Sequence, residues 1–468
     1  MNKKEALQFY KRVFGLALPI AAQSLITIGV NMLDTMMVGS LGDDPLSATS
    51  LANSFISIYQ IFCMGLGMGA SVLVSRYWGM KNSAKDETDA DSASRALKQT
   101  VCLMLRLTII LATVFALATL LIPDMIMRTY TDDASIISFG VRYFRYSIVT
   151  YYFVGISLVT TIVLRSVGQV VLPLVVSIGA FFVNLSMNYI LIFGKFGAPR
   201  MEVAGAALGT LLSRVFELIF IVGYLLFIDK KILFRIKDFL METRSLLGEY
   251  IRISIPVLIS DAILAIGNNS VAMVIGHLGS TFVAANAITS VTQQLSSVVI
   301  SGVSQAGAIV TGITLGEGNK EKTMSQGYHF FGLGLVLGCI SAGFVFIFSG
   351  SIIGYYKNVS QETVEIAKQL MNAICLIIIF QGTNSIMTKG VLRGGGDTKI
   401  LMVADNVFLW VLAIPLGIIA GFYMKWSPFI IYICLKSDQI VKTLWAFLRL
   451  RSRKWIKRID TKSTKVYN

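Results

Sequence analysis

The chain reads Val38-Gly39-Ser40-Leu41-Gly42 and, 237 positions later, Ile275-Gly276-His277-Leu278-Gly279. Both stretches are aliphatic-Gly-x-Leu-Gly, and each closes a long apolar run. The same offset of 237 pairs Pro19 with Pro256, Ala48 with Ala285, Gly79 with Gly316 and Asn82 with Asn319. Further along, Leu164-Arg165-Ser166-Val167-Gly168 matches Leu392-Arg393-Gly394-Gly395-Gly396 at an offset of 228. The nine missing residues correspond to a longer acidic loop, 85–95, in the first half. One offset held over several elements marks an internal repeat.

The repeated unit is apolar. Of 468 residues 55% are hydrophobic and 14% charged, with a mean hydropathy of +0.71. Soluble domains carry about 25% charged residues, so this composition excludes a cytosolic enzyme, a disordered chain and a disulfide-rich secreted domain. Runs long enough to cross about 30 Å of hydrocarbon fall at 14–38, 47–74, 100–122, 137–163, 172–193, 203–227, 251–275, 283–314, 329–354, 366–391, 400–423 and 428–448. The first is too long for a signal peptide and lacks a clear cleavage site; it reads as an uncleaved span. The expected fold is an all-α integral membrane protein of about twelve transmembrane helices. Residues 1–227 form one six-helix half and 251–448 the other, joined by a cytoplasmic linker, 228–250, and followed by a basic tail, 449–468. Six is even, so the copies enter the membrane in the same orientation. A pseudo-two-fold along the membrane normal follows, with a central cavity between the halves.

Charge sets the orientation. The 41 Lys+Arg against 26 Asp+Glu give +15. The excess lies in the N-terminal tail, in the loops after the second and sixth spans, and in Arg449, Arg451, Arg453, Lys454, Lys457 and Arg458. Cytoplasmic loops collect basic residues, so both termini are expected in the cytoplasm. The tail then needs no nucleic acid; anionic lipid headgroups suffice. The cysteines 63, 102, 339, 375 and 434 all lie in apolar segments, an odd set with no C-x-x-C. His277 and His329 have no ligand cluster near them, so no metal site is expected.

Where the copies differ, polar chemistry sits. Asp34 maps onto Val271, Asp261 onto Ser24, Asn184 and Asn188 onto Leu412 and Leu416, and Asp397 onto Gln169. A carboxylate in hydrocarbon marks an ion or proton pathway by default, because burial penalises its ionised form. Asp34 is such a residue unless it merely reaches the outer interface. Asn184 and Asn188 are four apart and share a helical face. Beside a carboxylate they make an oxygen pocket of the kind hard cations prefer; the same spacing also serves as helix–helix glue. Asp261 and Asp405 are further intramembrane acids. Asp397 lies in the turn Gly394-Gly395-Gly396-Asp397-Thr398, where a turn or cap role is expected. That turn lacks the spacing of a phosphate loop. Glycines 65, 67 and 69, and 332, 334 and 338, read as close-packing positions. Gln60, Tyr151, Asn286, Gln293, Gln381 and Asn384 are candidates for a substrate cavity, since amides, methionines and aromatics re-pack around varied ligands. No nucleophile–base pair suggests an enzyme.

Several of these motifs together resemble the multidrug and toxic compound extrusion (MATE) family. They are Asp34-Thr35-Met36-Met37-Val38-Gly39-x-Leu41-Gly42, Leu164-Arg165-Ser166-x-Gly168, Asn184-x-x-x-Asn188-Tyr189-x-Leu191-Ile192-Phe193-Gly194 and Leu392-Arg393-Gly394-Gly395-Gly396-Asp397-Thr398. The resemblance spans essentially the whole chain. It implies secondary antiport: amphipathic organic cations leave while protons or sodium ions enter, with no cofactor and no nucleic-acid partner. A monomer is expected. It also implies that Asp34, Asn184 and Asn188 form the cation site of the N-terminal half. One branch of the family has Asp at the position of Asn188, which here removes a negative charge. Family members use a further acid in the seventh helix, for which Asp261 is the nearest match, and one at the position of Asp397. The rival within the superfamily is a flippase for a lipid-linked or other amphipathic metabolite. A pyrophosphate headgroup favours several basic residues in the cavity, and the few in-span ones, Arg106, Arg142, Arg145, Arg214 and Lys389, mostly read as helix-end residues.

Overall fold

The computed structural model describes residues 3–355 and 360–457. Lys357 and the end of the predicted basic tail, from Arg458 on, lie outside the described residues. Among those described, every regular element is helical. In chain order these are α1 (Lys3–Gly39), α2 (Asp43–Ser83), α3 (Glu87–Leu121), α4 (Pro123–Arg128), α5 (Ala134–Ser147), α6 (Thr150–Ser166), α7 (Val171–Phe193) and α8 (Val203–Gly223). They continue with α9 (Arg244–His277), α10 (Ser280–Gly316), α11 (Lys320–Tyr355), α12 (Gln361–Ser385), α13 (Thr398–Val407), α14 (Ile414–Ile418), α15 (Pro428–Leu435) and α16 (Ser437–Arg451). Stretches of π-helix prolong α8 and α12 and join α13 to α14. Ten helices, so prolonged, are long and apolar enough to cross a membrane among the described residues, or eleven if α5 and α6, bent by 60°, make one span.

Eleven of the twelve expected spans thus have a helical counterpart. The twelfth, 428–448, breaks at Lys436 into α15 and α16. Its polar sequence Lys436-Ser437-Asp438-Gln439 interrupts the apolar run, and neither piece spans alone.

The repeat is visible in the backbone. Gly42 and Gly279, 237 apart, both begin a helix with positive φ, +119° and +113°. Gly168 and Gly396, 228 apart, both turn the chain at φ +76° and +84°. A side chain is strained in that region, which only Gly enters freely.

The described residues group into two compact units. One comprises residues 22–258; the other comprises 3–21 and 259–457. This grouping cuts across the sequence halves at α1 and α9. Each of these helices carries an internal proline, Pro19 or Pro256, and each changes unit two residues beyond it. A proline inside a helix removes one backbone hydrogen bond and marks a natural place to bend.

Small residues allow close approach within each unit. In the first, an added Cβ would run into Leu258 at Gly65, Ile162 at Gly67 and Ser254 at Gly69. In the second, Gly334 faces the backbone of Thr383 and Gly338 that of Ile379. Gly332 departs from expectation: nothing lies within 4 Å of its added Cβ, so it packs against no neighbour. The apolar core of the second unit gathers Val271, Phe282, Ile374, Leu409 and Tyr432 from five segments.

Candidate functional site

Within the unit of residues 22–258, a cavity of about 610 Å³ is walled by α1, α2, α5, α6, α7 and α8. Asp34 and Asn184 line it. Asn188 donates from Nδ2 to Asp34 Oδ1 at 2.6 Å and to Asn184 Oδ1 at 3.3 Å. The four-residue spacing on α7 puts both amides on the face turned to α1, as expected from the sequence. Asn188 is fully buried, and its Oδ1 has no hydrogen-bond partner. Gly209 on α8 supplies the room: a Cβ there would collide with that oxygen. A buried carbonyl oxygen left unpaired costs about 1–3 kcal/mol.

The rest of the wall is polar. Ser47, Ser50, Ser54, Ser57 and Gln60 of α2 line the cavity at spacings of three and four, one stripe of that helix. Tyr143 donates to Asn53 Oδ1 at 3.2 Å. Gln60 is thus part of this wall. Tyr151 is not: it is 2% exposed, edge-on to Tyr59 with ring centroids 5.1 Å apart. It belongs to the packing of α2 against α6 and not to a cavity wall.

Arg214 was legible only as a basic residue on a helix; the structure lines the cavity with it. Its Nη1 lies 2.7 Å from Glu217 Oε2, and its Nε is buried without a partner. The signal that could have singled it out is its place near the middle of the span 203–227, away from either end.

Of the candidates in the other unit, Asp405 and Asn384 are joined by one chain of contacts through Lys442, Asp438 and Gln439. Asp261 accepts from Arg393 Nη2 at 3.1 Å. Asp405 lies 3.5 Å from Lys442 and accepts from Ser260 Oγ at 3.4 Å. Lys442 also lies 3.1 Å from Asp438. Asn384 donates to Gln439 at 2.8 Å, and Gln439 in turn to Asp438 at 2.7 Å. Gln293 donates to Gln381 at 2.7 Å and accepts from Tyr432 at 3.2 Å. Asn286 is half-buried and uses its backbone carbonyl to hold Thr289. These acids are already matched by cations: Lys442 Nζ stands between two carboxylates, where an external ion would otherwise have to sit.

Asp397 lies in the Gly-rich turn as the N-cap residue of α13, though its side chain makes no capping bond. It takes Arg449 Nε and Nη2 at 2.7 and 3.0 Å, with Lys457 at 3.5 Å, and is 1% exposed. It ties the Gly-rich turn to the end of α16. Among the described residues no group of three or more His, Cys, Asp or Glu could hold a metal ion.

Helices long enough to span a membrane, a two-fold internal repeat and a polar cavity inside one bundle define a polytopic membrane transporter. The MatE family pattern matches residues 19–190 and 256–419, and the chain belongs to that family. It is 26% identical to the probable multidrug resistance protein NorM of Thermotoga maritima, over 98% of this chain and 96% of that one. It is 25% identical to the multidrug resistance protein NorM of Burkholderia vietnamiensis, over 87% and 86%. It is 22% identical to the uncharacterized transporter YisQ of Bacillus subtilis, over 95% of each. The fold is shared with a multidrug resistance MATE transporter of the MOP superfamily solved in an outward-facing conformation, at a TM-score of 0.82 and 20% identity, over 95% and 96% of the chains. It is also shared with a MATE protein solved in straight and bent conformations, both at a TM-score of 0.83, over 95% and 96% of the chains, at 20% and 19% identity.

Proposed function

We propose that the protein is a secondary antiporter that exports organic cations in exchange for protons or sodium ions, with Asp34 as the coupling residue. The observation that carries this reading is the Asp34–Asn188–Asn184 cluster. Asp34 is the one carboxylate lining the cavity, beside a buried amide oxygen with no partner. Protonated or sodium-bound, Asp34 is neutral and tolerates an apolar surrounding; ionised, it attracts the cationic group of a cargo. Ion and cargo thus compete for one carboxylate. Exchange follows if each favours a different conformation, since equal affinity for both would shift nothing. Asn188 holds the carboxylate in place, and Asn184 and the free oxygen of Asn188 offer a desolvated ion its further ligands. The Lys/Arg distribution supports both termini in the cytoplasm, and the bacterial relatives support a bacterial plasma membrane location, with lipids as the surrounding partner.

The test is transport in everted vesicles with a cationic dye, imposing a proton gradient and a sodium gradient separately. Uptake driven by either supports the reading. Absence of uptake with both gradients, together with binding of a lipid-linked pyrophosphate saccharide to the purified protein, replaces it with a flippase.

A further inference from the structure

We propose that the cavity of residues 22–258 takes a hydrophilic solute carrying both a cationic and an oxyanionic group, with Arg214 as the anchor of the anion. The inference rests on the reading above, in which this cavity is the transport site, and narrows its cargo.

The first ground is the wall. Of 22 lining residues, sixteen carry side chains that hydrogen-bond, the one aromatic is Tyr143, and there is no methionine. The sequence reading expected methionines and aromatics beside amides; here the amides and hydroxyls stand almost without them. A lipophilic cation seated here would strip water from hydroxyls and amides and return no hydrogen bonds, at about 1–3 kcal/mol for each group left unpaired. A hydrophilic solute replaces those bonds. The volume of about 610 Å³ suits a small molecule.

The second ground is Arg214. A guanidinium has five N–H donors in a fixed fork that matches carboxylate and phosphate oxygens. Among the described residues Glu217 is its hydrogen-bond acceptor, through Nη1, and the buried Nε has none. A solute whose only charge is positive meets a like charge in this wall, whereas one that also bears an oxyanion finds donors for it.

Asp34 on α1 lines the same space for the cationic end.

Titration calorimetry on the purified full chain tests this with four probes: the dipeptide seryl-serine, its methyl ester, glycerophosphoethanolamine and tetraphenylphosphonium. The expected result is binding of the dipeptide or of glycerophosphoethanolamine more tightly than of tetraphenylphosphonium; which of the two prevails tells carboxylate from phosphate. Arg214→Gln should weaken the preferred zwitterion about tenfold or more and should not weaken the ester, and Arg214→Lys should restore part of the loss. Thermal melting of both variants shows whether they are folded, and Arg214→Lys carries the test if Arg214→Gln is not. Tighter binding of tetraphenylphosphonium, insensitive to Arg214, overturns the proposal and leaves the antiporter reading standing. Failure of all four probes to bind the folded wild-type protein overturns the proposal and counts against this cavity as the transport site.

Discussion

Asp34 is held by one amide, and that economy makes its replacement informative. Asp34→Asn preserves shape and removes the charge that alternates between ion and cargo. The expected outcome is a folded, normally expressed protein whose gradient-driven export is lost, read as uptake into vesicles. Asn188→Asp adds a second carboxylate beside the first. It should keep activity and change its dependence on pH or sodium, because two like charges disfavour each other's ionisation unless a cation joins them; an unchanged ion dependence would place Asn188 in packing alone. Much of this cluster was legible in the sequence. A carboxylate in an apolar run and two amides four apart on one helix marked these residues, although an interfacial Asp34 and helix–helix glue fitted the same pattern. Arg214 was not legible in the same way: it lies near the middle of the span 203–227, yet the sequence alone does not say that it faces a cavity. Nor was the burial of Tyr151, since an aromatic in a helix apolar on all sides carries no mark of which side is wet.

At the scale of elements, the helices are placed by length and hydropathy, and the sequence showed nearly all of them. Departures occur where polar residues or backbone geometry intervene. The 60° bend between α5 and α6 leaves no trace in hydropathy, and the break at Lys436 is marked only by four consecutive polar residues. Close packing of α2 against α9 depends on Gly69, whose added Cβ would meet Ser254. Gly69→Val should destabilise the protein by about 1–3 kcal/mol through overpacking, visible as a lower melting temperature in detergent. Gly343→Val, where nothing lies within 4 Å, should melt close to wild type. Equal melting of the two variants would show that the small residues of α2 are not set by packing.

At the scale of the whole molecule, the repeat was the most legible feature, because an offset of 237 survives in prolines, glycines and turns that the backbone itself requires. What it could not convey is that α1 and α9 each change compact unit two residues past their prolines: contacts made by half a helix have no signature in composition. The basic loops predict that cysteines placed at the exposed positions Lys85 and Lys237 react with an impermeant reagent only after cells are permeabilised. Labelling of either in intact cells would reverse the orientation.

The coupling claim is tested most directly by comparing wild type with Asp34→Asn in vesicles under imposed proton and sodium gradients, with a cationic dye and seryl-serine as parallel cargoes. The account predicts that one gradient drives wild-type export of at least one cargo, and that the variant, equally abundant and equally folded, moves neither cargo against its gradient. Export by Asp34→Asn at the wild-type rate, with the same ion dependence, would contradict it and leave Asp34 an interfacial residue with no part in coupling.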